Sequence, residues 1–287
     1  MLLGVAGFVK GDWLNVTEDQ VKMVADNGFV SALLTISDPT AGDDRDIENI
    51  KTLYAAHGLN MPMTRGAYGG GLCSDDEGQR KWTVKFLEDT VRLSAKMACP
   101  TTYFRPGSHN PDGPWLPHPD NRLEATFDNL VASAQQACAV ADSEGIKLVV
   151  EAGVVCPLYT PRRVREFFDA VDMPALGFNV DPVNLVGSLE IAYDTTSLIN
   201  ECIDLMADEI VGCDAKDFTI VDALLPHFEE EVIGAPNALL DNVTLLTRLQ
   251  ETAPDITVTV EHYPDEKIPA AAAGIRKAAQ IAGVIWD

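Results

Sequence analysis

Several things are missing from this 287-residue chain, and each absence narrows what it can be. No apolar run approaches the roughly 20 residues that a membrane-spanning helix needs, so membrane insertion is not expected. Positive charge is scarce: 21 Lys and Arg face 44 Asp and Glu, a formal charge of −23. Such a field repels polyanions and argues against nucleic acid as a partner, while leaving neutral ligands and bound cations open. The cysteines, at positions 73, 99, 138, 156, 202 and 213, show no CxxC or zinc-type spacing and read as reduced packing thiols of a cytoplasmic protein. The first strand is followed by "GFVKGDW", which is no dinucleotide-binding GxGxxG. The triple glycine at 69 to 71 lacks the Lys and Ser/Thr of a phosphate-binding loop and reads as a mobile rim loop. No basic leader precedes the apolar start "MLLGVAGF", so it reads as a strand in place of a signal peptide. No Ser/Gly linker or compositional break appears, which favours one domain over residues 1–287.

What is present is a regular alternation of strand-like and helix-like segments. Strands are expected at Leu2–Phe8, Val30–Ile36, Asn60–Arg65, Thr101–Arg105, Lys147–Glu151, Ala175–Asp181, Ile210–Asp214 and Thr257–Glu261. Helices are expected near Glu18–Asn27, Arg45–His57, Gln79–Met97, Asn121–Glu144, Pro161–Val171, Tyr193–Met206, Asn237–Thr252 and Pro269–Ala282. Consecutive βα units with right-handed crossovers close into a (β/α)8 TIM barrel once eight are in line, and the length suits that fold. The competitor is an open doubly wound sheet.

In a barrel the C-terminal strand ends converge on one mouth, where catalytic groups gather. "IKLVVEAG" ends a buried strand on Glu151, "LGFNVDPVN" on Asp181, "IVGCDAKD" on Asp214 and "ITVTVEHYP" on Glu261. One acid at a strand end is ordinary, but four consecutive strands ending on acids is a pattern. Carboxylates gathered in a partly desolvated mouth repel one another unless a cation neutralises them. All-oxygen or oxygen-plus-histidine ligation suits Mn²⁺ or Mg²⁺, with Co²⁺ or Zn²⁺ as alternatives.

Taken in order, "VVEAG", "GFNVDPVN", "CDAKD" and "VEHYP" resemble the xylose isomerase-like TIM-barrel superfamily of sugar isomerases and epimerases, which also contains inosose dehydratases and endonuclease IV. The resemblance implies that Glu151, Asp181 and Glu261 bind a divalent metal. The third ligand in that family is a histidine, where this chain has Asp214, two residues before Lys216 and Asp217. Either Asp214 takes its place or His227, in "PHFEEEV", supplies the donor. In ketose 3-epimerases of the family, the glutamates corresponding to Glu151 and Glu261 also move the proton, so the resemblance implies a catalytic role for both. The family's glycine-rich turn after the seventh strand is altered here to "GAPN" at 234 to 237.

The stretch "RPGSHNPDGPWLPHPDN", Arg105 to Asn121, follows the fourth strand and is stiffened by proline. Trp115 can stack on a sugar face, and His109 or His118 can hydrogen-bond hydroxyls or act as acid or base. Arg65 is a candidate for a substrate oxygen, Lys216 for an oxyanion, and Trp13 for closing the pocket; each has an ordinary structural alternative. The leading expectation is a metal-dependent sugar isomerase or epimerase with a small-molecule sugar or keto-sugar as its partner, as a monomer or homo-oligomer. A lyase of the same superfamily, acting on an inosose or a 3-keto-glycoside, is the alternative enzyme. A non-catalytic sugar-binding protein is the alternative of another class.

Overall fold

A computed structural model describes residues 1–286. Its parallel sheet runs in the order β2-β1-β11-β8-β7-β6-β5-β4-β3. The members are β1 (Leu2–Ala6), β2 (Ser31–Ala32), β3 (Leu34–Ile36), β4 (Thr64–Gly66), β5 (Thr101–Phe104), β6 (Lys147–Val150), β7 (Leu176–Val180), β8 (Ile210–Ala215) and β11 (Thr257–Glu261). The terminal strands β2 and β3 are two parts of one extended segment, parted only at Leu33, whose N–H donates to Val5 O while the next amide, Leu34 N–H, donates to Met63 O. That segment joins the two edges of the sheet, and the eight-stranded barrel expected from the sequence results.

Helices cover the barrel: α1 (Glu18–Asp26), α2 (Asp44–Ala56), α3 (Glu77–Lys96), α4 (Glu124–Glu144), α5 (Pro161–Val171), α6 (Leu189–Tyr193), α7 (Thr195–Met206), α8 (Asn242–Thr252) and α9 (Ile268–Ala282). Helix α5 illustrates why they form. Thr160 accepts a hydrogen bond from Arg163 N–H at its start and Pro161 occupies the first turn. Val164, Phe167, Phe168 and Val171 then recur on one buried face, and the helix stops where Asp172 turns left-handed. Phe168 meets Phe167 and the β7 residue Phe178 edge-on at 6.1 and 6.2 Å. Burying each such ring is worth about 1.5–3 kcal/mol, and the contact fixes β7, which carries Asp181 at its end.

The structure departs from the sequence reading in four places. The helix expected near Tyr193–Met206 is two helices, broken at Asp194, whose carboxylate caps α7 by accepting from Ser197 N–H at 3.1 Å. The helix expected to begin near Asn237 begins at Asn242, because Asn237 is held by Glu231 Oε2 at 3.0 Å. Before it comes an unforeseen antiparallel hairpin, β9 (Asp217–Ile220) and β10 (Phe228–Glu231). The triple glycine is also no free rim loop: Gly71 opens a buried 3-10 turn. A Cβ on Gly107, φ +88°, would lie 2.0 Å from the Gly70 carbonyl, so two loops touch backbone to backbone there. All six cysteines are buried and free, and burial pushes thiols such as Cys73 and Cys99 up to about 12, which makes them inert packing groups.

Candidate active site

The four strand-end acids meet. Glu151 and Asp181 follow the last residues of β6 and β7, Asp214 lies in β8, and Glu261 ends β11. One carboxylate oxygen from each lies within 4.8 Å of the others, and the residues are only 4, 2, 6 and 8% exposed in that order. Strand alternation puts Asp214 and Lys216, two residues apart, on the same side of the chain. Lys216, 1% exposed, brings its Nζ to 2.7 Å from Asp181 Oδ2, 3.1 Å from Glu261 Oε2 and 3.9 Å from Glu151 Oε1.

Neutral groups orient the acids. Tyr103 OH donates to Glu151 Oε2 at 2.8 Å, and Asn184 Nδ2 donates to Glu151 Oε1 at 2.6 Å. Asn184 also donates its backbone N–H to Asp181 Oδ1 at 3.3 Å and accepts from Lys216 Nζ at 3.3 Å. Asn179 Nδ2 donates to Asp214 Oδ2 at 2.7 Å, and only a glycine leaves room beside it: a Cβ on Gly212 would meet Asn179 Oδ1 at 2.6 Å. Asp217, by contrast, faces away from the acids. It accepts from Phe218, Leu239 and Leu240 N–H and from Asn242 Nδ2, and so ties the hairpin to the start of α8.

The charges are unequal in their effect. Burial, then the carboxylates around it, raises Glu151 well above the usual carboxylate range against the pull of Lys216. Burial, followed by Glu261 and Asp181, does the same to Asp214. Burial acts on Glu261 too, but Lys216, His262 and Arg65 outweigh it and hold that carboxyl down to about 2. One fixed ammonium therefore does not balance four carboxylates. Asp181 Oδ2 and Glu261 Oε2 are both buried and share the single ammonium of Lys216, at 2.7 and 3.1 Å. A converging, all-oxygen, under-neutralised donor set of this kind fits a hard divalent cation.

A cavity of about 460 Å³ opens onto Glu151, Asp214 and Glu261. Arg65 and Trp115 line it. Arg65 Nε donates to Thr35 Oγ1 at 3.1 Å, and its Nη1 lies 3.9 Å from Glu261 Oε1. Trp115 packs over Gly153, where a Cβ would come within 3.0 Å of the indole.

Four other expected site residues lie elsewhere. His109 Nε2 is 3.0 Å from Thr126 Oγ1 and its backbone N–H donates to Asn121, so it stiffens the proline-rich loop and borders a separate hollow beside the glycine loop. His118 caps the short helix Pro119–Arg122, its Nδ1 accepting from Asp120 N–H. Trp13, 2% exposed, belongs to the apolar core and leans on Gly42, so it does not close the pocket. His227 sits by the hairpin with its side chain 61% exposed, paired with Glu229 at 3.2 Å, and is not in the acid cluster; Asp214 is.

The family model for the xylose isomerase-like TIM barrel matches residues 21–281. The chain belongs to that family. Among solved members of this fold, a xylose isomerase-like TIM barrel protein from Mycobacterium smegmatis in complex with magnesium superposes with a TM-score of 0.76 at 15% identity, over 98% of this chain and 96% of that one. A D-tagatose 3-epimerase-like protein superposes at 0.74 with 16% identity over 99% and 98%, and an L-ribulose 3-epimerase at 0.73 with 13% identity over 98% and 97%. At these identities the likeness is one of fold. A probable endonuclease 4 of Finegoldia magna is 32% identical over 69 residues, which make up 24% of this chain and only 25% of that protein.

Within this xylose isomerase-like barrel, sequence reasoning passed over Tyr103, Asn179, Asn184, Glu230 and His262. Asn179 and Tyr103 could have been found by counting in twos from Asp181 and Arg105, since alternate strand residues share a face. Glu230 could not, because the hairpin that carries it had no recognised signal.

Proposed function

We propose that this protein is a divalent-metal-dependent isomerase or epimerase of a ketose or keto-sugar, working by removal of the proton on the carbon next to the carbonyl. The observation that carries this reading is the pair of buried glutamates, Glu151 and Glu261, which reach one cavity from different strand ends on either side of the Lys216 ammonium. Two carboxyls that face one substrate from different strand ends can divide the roles of base and acid. Glu261, kept ionised by Lys216, is the base; Glu151, held by Tyr103 and Asn184, is the partner that exchanges a proton with the substrate from another strand end. Lys216 also offers positive charge to the oxyanion that develops when the proton leaves.

Glu151, Asp181, Asp214 and Glu261 would hold the metal, with Mg²⁺ or Mn²⁺ preferred over Co²⁺ or Zn²⁺ because every donor is oxygen. When bound, it supplies Lewis-acid polarisation of the carbonyl. The reading makes the protein a cytoplasmic, one-domain enzyme with a small-molecule sugar as its partner. Support comes from the family assignment and from fold neighbours that include a D-psicose 3-epimerase and an L-ribulose 3-epimerase.

A lyase is the second reading, and one feature favours it. Part of the cavity wall is apolar, with Trp115, Val154, Val183, Phe218 and Phe228, and its volume of about 460 Å³ lies within the roughly 300–1,000 Å³ range of small-molecule pockets. A leaving group on the sugar could rest there. Both reactions begin with the same proton removal, and solvent deuterium entering an unchanged skeleton, as opposed to an unsaturated product, tells them apart.

A further inference from the structure

Among the described residues, four that are not glycine have left-handed backbone: Phe8, Ala98, Asp172 and His262. Of these, only His262, φ +67°, lines the cavity. That conformation costs an L-residue energy and persists where the surroundings impose it, commonly at functional sites. Here the surroundings are the hairpin. His262 Nδ1 lies 2.7 Å from Glu230 Oε1, and the next side chain, Tyr263, donates its OH to Glu231 O at 2.8 Å. Two successive residues therefore pin the end of β11 to β10. With Nδ1 engaged by Glu230, the ring nitrogen left over is Nε2. It stands 3.6 Å from Glu261 Oε2, too far for a hydrogen bond, and the imidazole is 49% exposed.

We infer that Glu230 and His262 form a dyad in which Glu230 fixes the imidazole tautomer and His262 presents Nε2 to a substrate oxygen beside Glu261. The strained turn is what carries the ring past the end of the strand and into the cavity. An ordinary extended residue would continue the strand direction. The hairpin is then part of the binding site, and Glu230 is a positioning residue that acts through His262. The inference rests on the isomerase reading for its ligand and on geometry alone for the dyad.

The test uses the full-length, metal-loaded protein with D-psicose, D-tagatose, D-fructose and L-ribulose as probes. His262→Asn tolerates left-handed backbone, and His262→Gly removes the strain altogether, so both are expected to fold. Each should bind the preferred ketose roughly tenfold or more weakly, the effect of losing one hydrogen bond near charge, with KM rising in step. Glu230→Ala should weaken binding less and should abolish the low-field Nδ1–H proton resonance of His262 in the sugar-free protein. A purely structural role would alter melting temperature in these variants and leave KM alone. Wild-type binding by His262→Asn overturns the substrate contact, and a resonance unaffected by Glu230→Ala overturns the dyad. If the wild-type protein binds none of the four ketoses, the ketose reading fails, and the substrate contact with it; the resonance still decides the dyad.

Discussion

Replacing Lys216 by Met removes the one ammonium among four buried acids while keeping most of the side chain's volume. Its Nζ lies 2.7, 3.1 and 3.9 Å from Asp181, Glu261 and Glu151. At an effective dielectric constant of about 20, a unit-charge pair at 4 Å is worth about 4 kcal/mol. Three such contacts are offset in part by the several kcal/mol needed to desolvate the ammonium, and removing one partner of a buried ion pair costs about 3–5 kcal/mol in practice. We therefore expect the metal-free Lys216→Met protein to be about 3–5 kcal/mol less stable at pH 8.

The loss should depend on pH. Lys216 is raised well above its ordinary 10.5 because the four acids outweigh its burial, so its contribution is complete at neutral pH and disappears only in strong alkali. Without it Glu151 and Asp214 shift further upward, and Glu261 loses the partner that holds it down. A carboxyl with a raised folded value contributes stability below its unfolded value, and that contribution is lost as pH rises through the folded one. The deficit should thus be smaller near pH 5 than at pH 8. Urea titrations at both pH values, with and without Mg²⁺, measure this, and Mg²⁺ should stabilise the variant more than the wild type. A metal-free variant within about 0.5 kcal/mol of wild type at pH 8 would refute the charge balance described for the site.

Two further outcomes concern the metal. Asp181→Asn and Asp214→Ala should each weaken Mg²⁺ or Mn²⁺ binding by more than about tenfold, whereas His227→Ala, a change at an exposed residue outside the cluster, should leave it within about twofold by calorimetry. Because Glu151 and Asp214 are raised and must ionise to ligate, metal binding near pH 6 should release protons and tighten as pH rises. Heats measured in buffers of different ionisation enthalpy report the release, and buffer-independent heats would contradict it.

Much of this was legible in the sequence, for physical reasons. Strands β6, β7 and β11 are short, mostly buried segments rich in branched residues that lead to an acid, and a barrel forces such ends to one mouth, so Glu151, Asp181 and Glu261 could be grouped without coordinates. Asp214 was legible for the same reason, and its competitor His227 was not excluded until the hairpin placed it in solvent. Histidines of the proline-rich loop were misread because chemistry-bearing side chains also serve as caps and struts: His118 caps a helix and His109 braces Thr126. Trp13 followed its commoner fate in the core. The hairpin was hidden because "FEEE" in β10 is acidic and lacks the alternation that marks a strand, and its pairing with β9 depends on Asp217 gathering amides from distant residues. His262 was visible as a residue, but its left-handed turn toward Glu230 depends on that hairpin.

The central claim is proton removal next to a carbonyl by the Glu151 and Glu261 pair. Its most direct test is proton NMR of ketohexoses incubated in deuterated water with the Mg²⁺- or Mn²⁺-loaded protein. The account predicts deuterium at the carbon adjacent to the carbonyl of the accepted sugar, and Glu261→Gln should suppress this exchange far more than it weakens sugar binding. Isomerised product that keeps its original hydrogen, or undiminished exchange by Glu261→Gln, would contradict it.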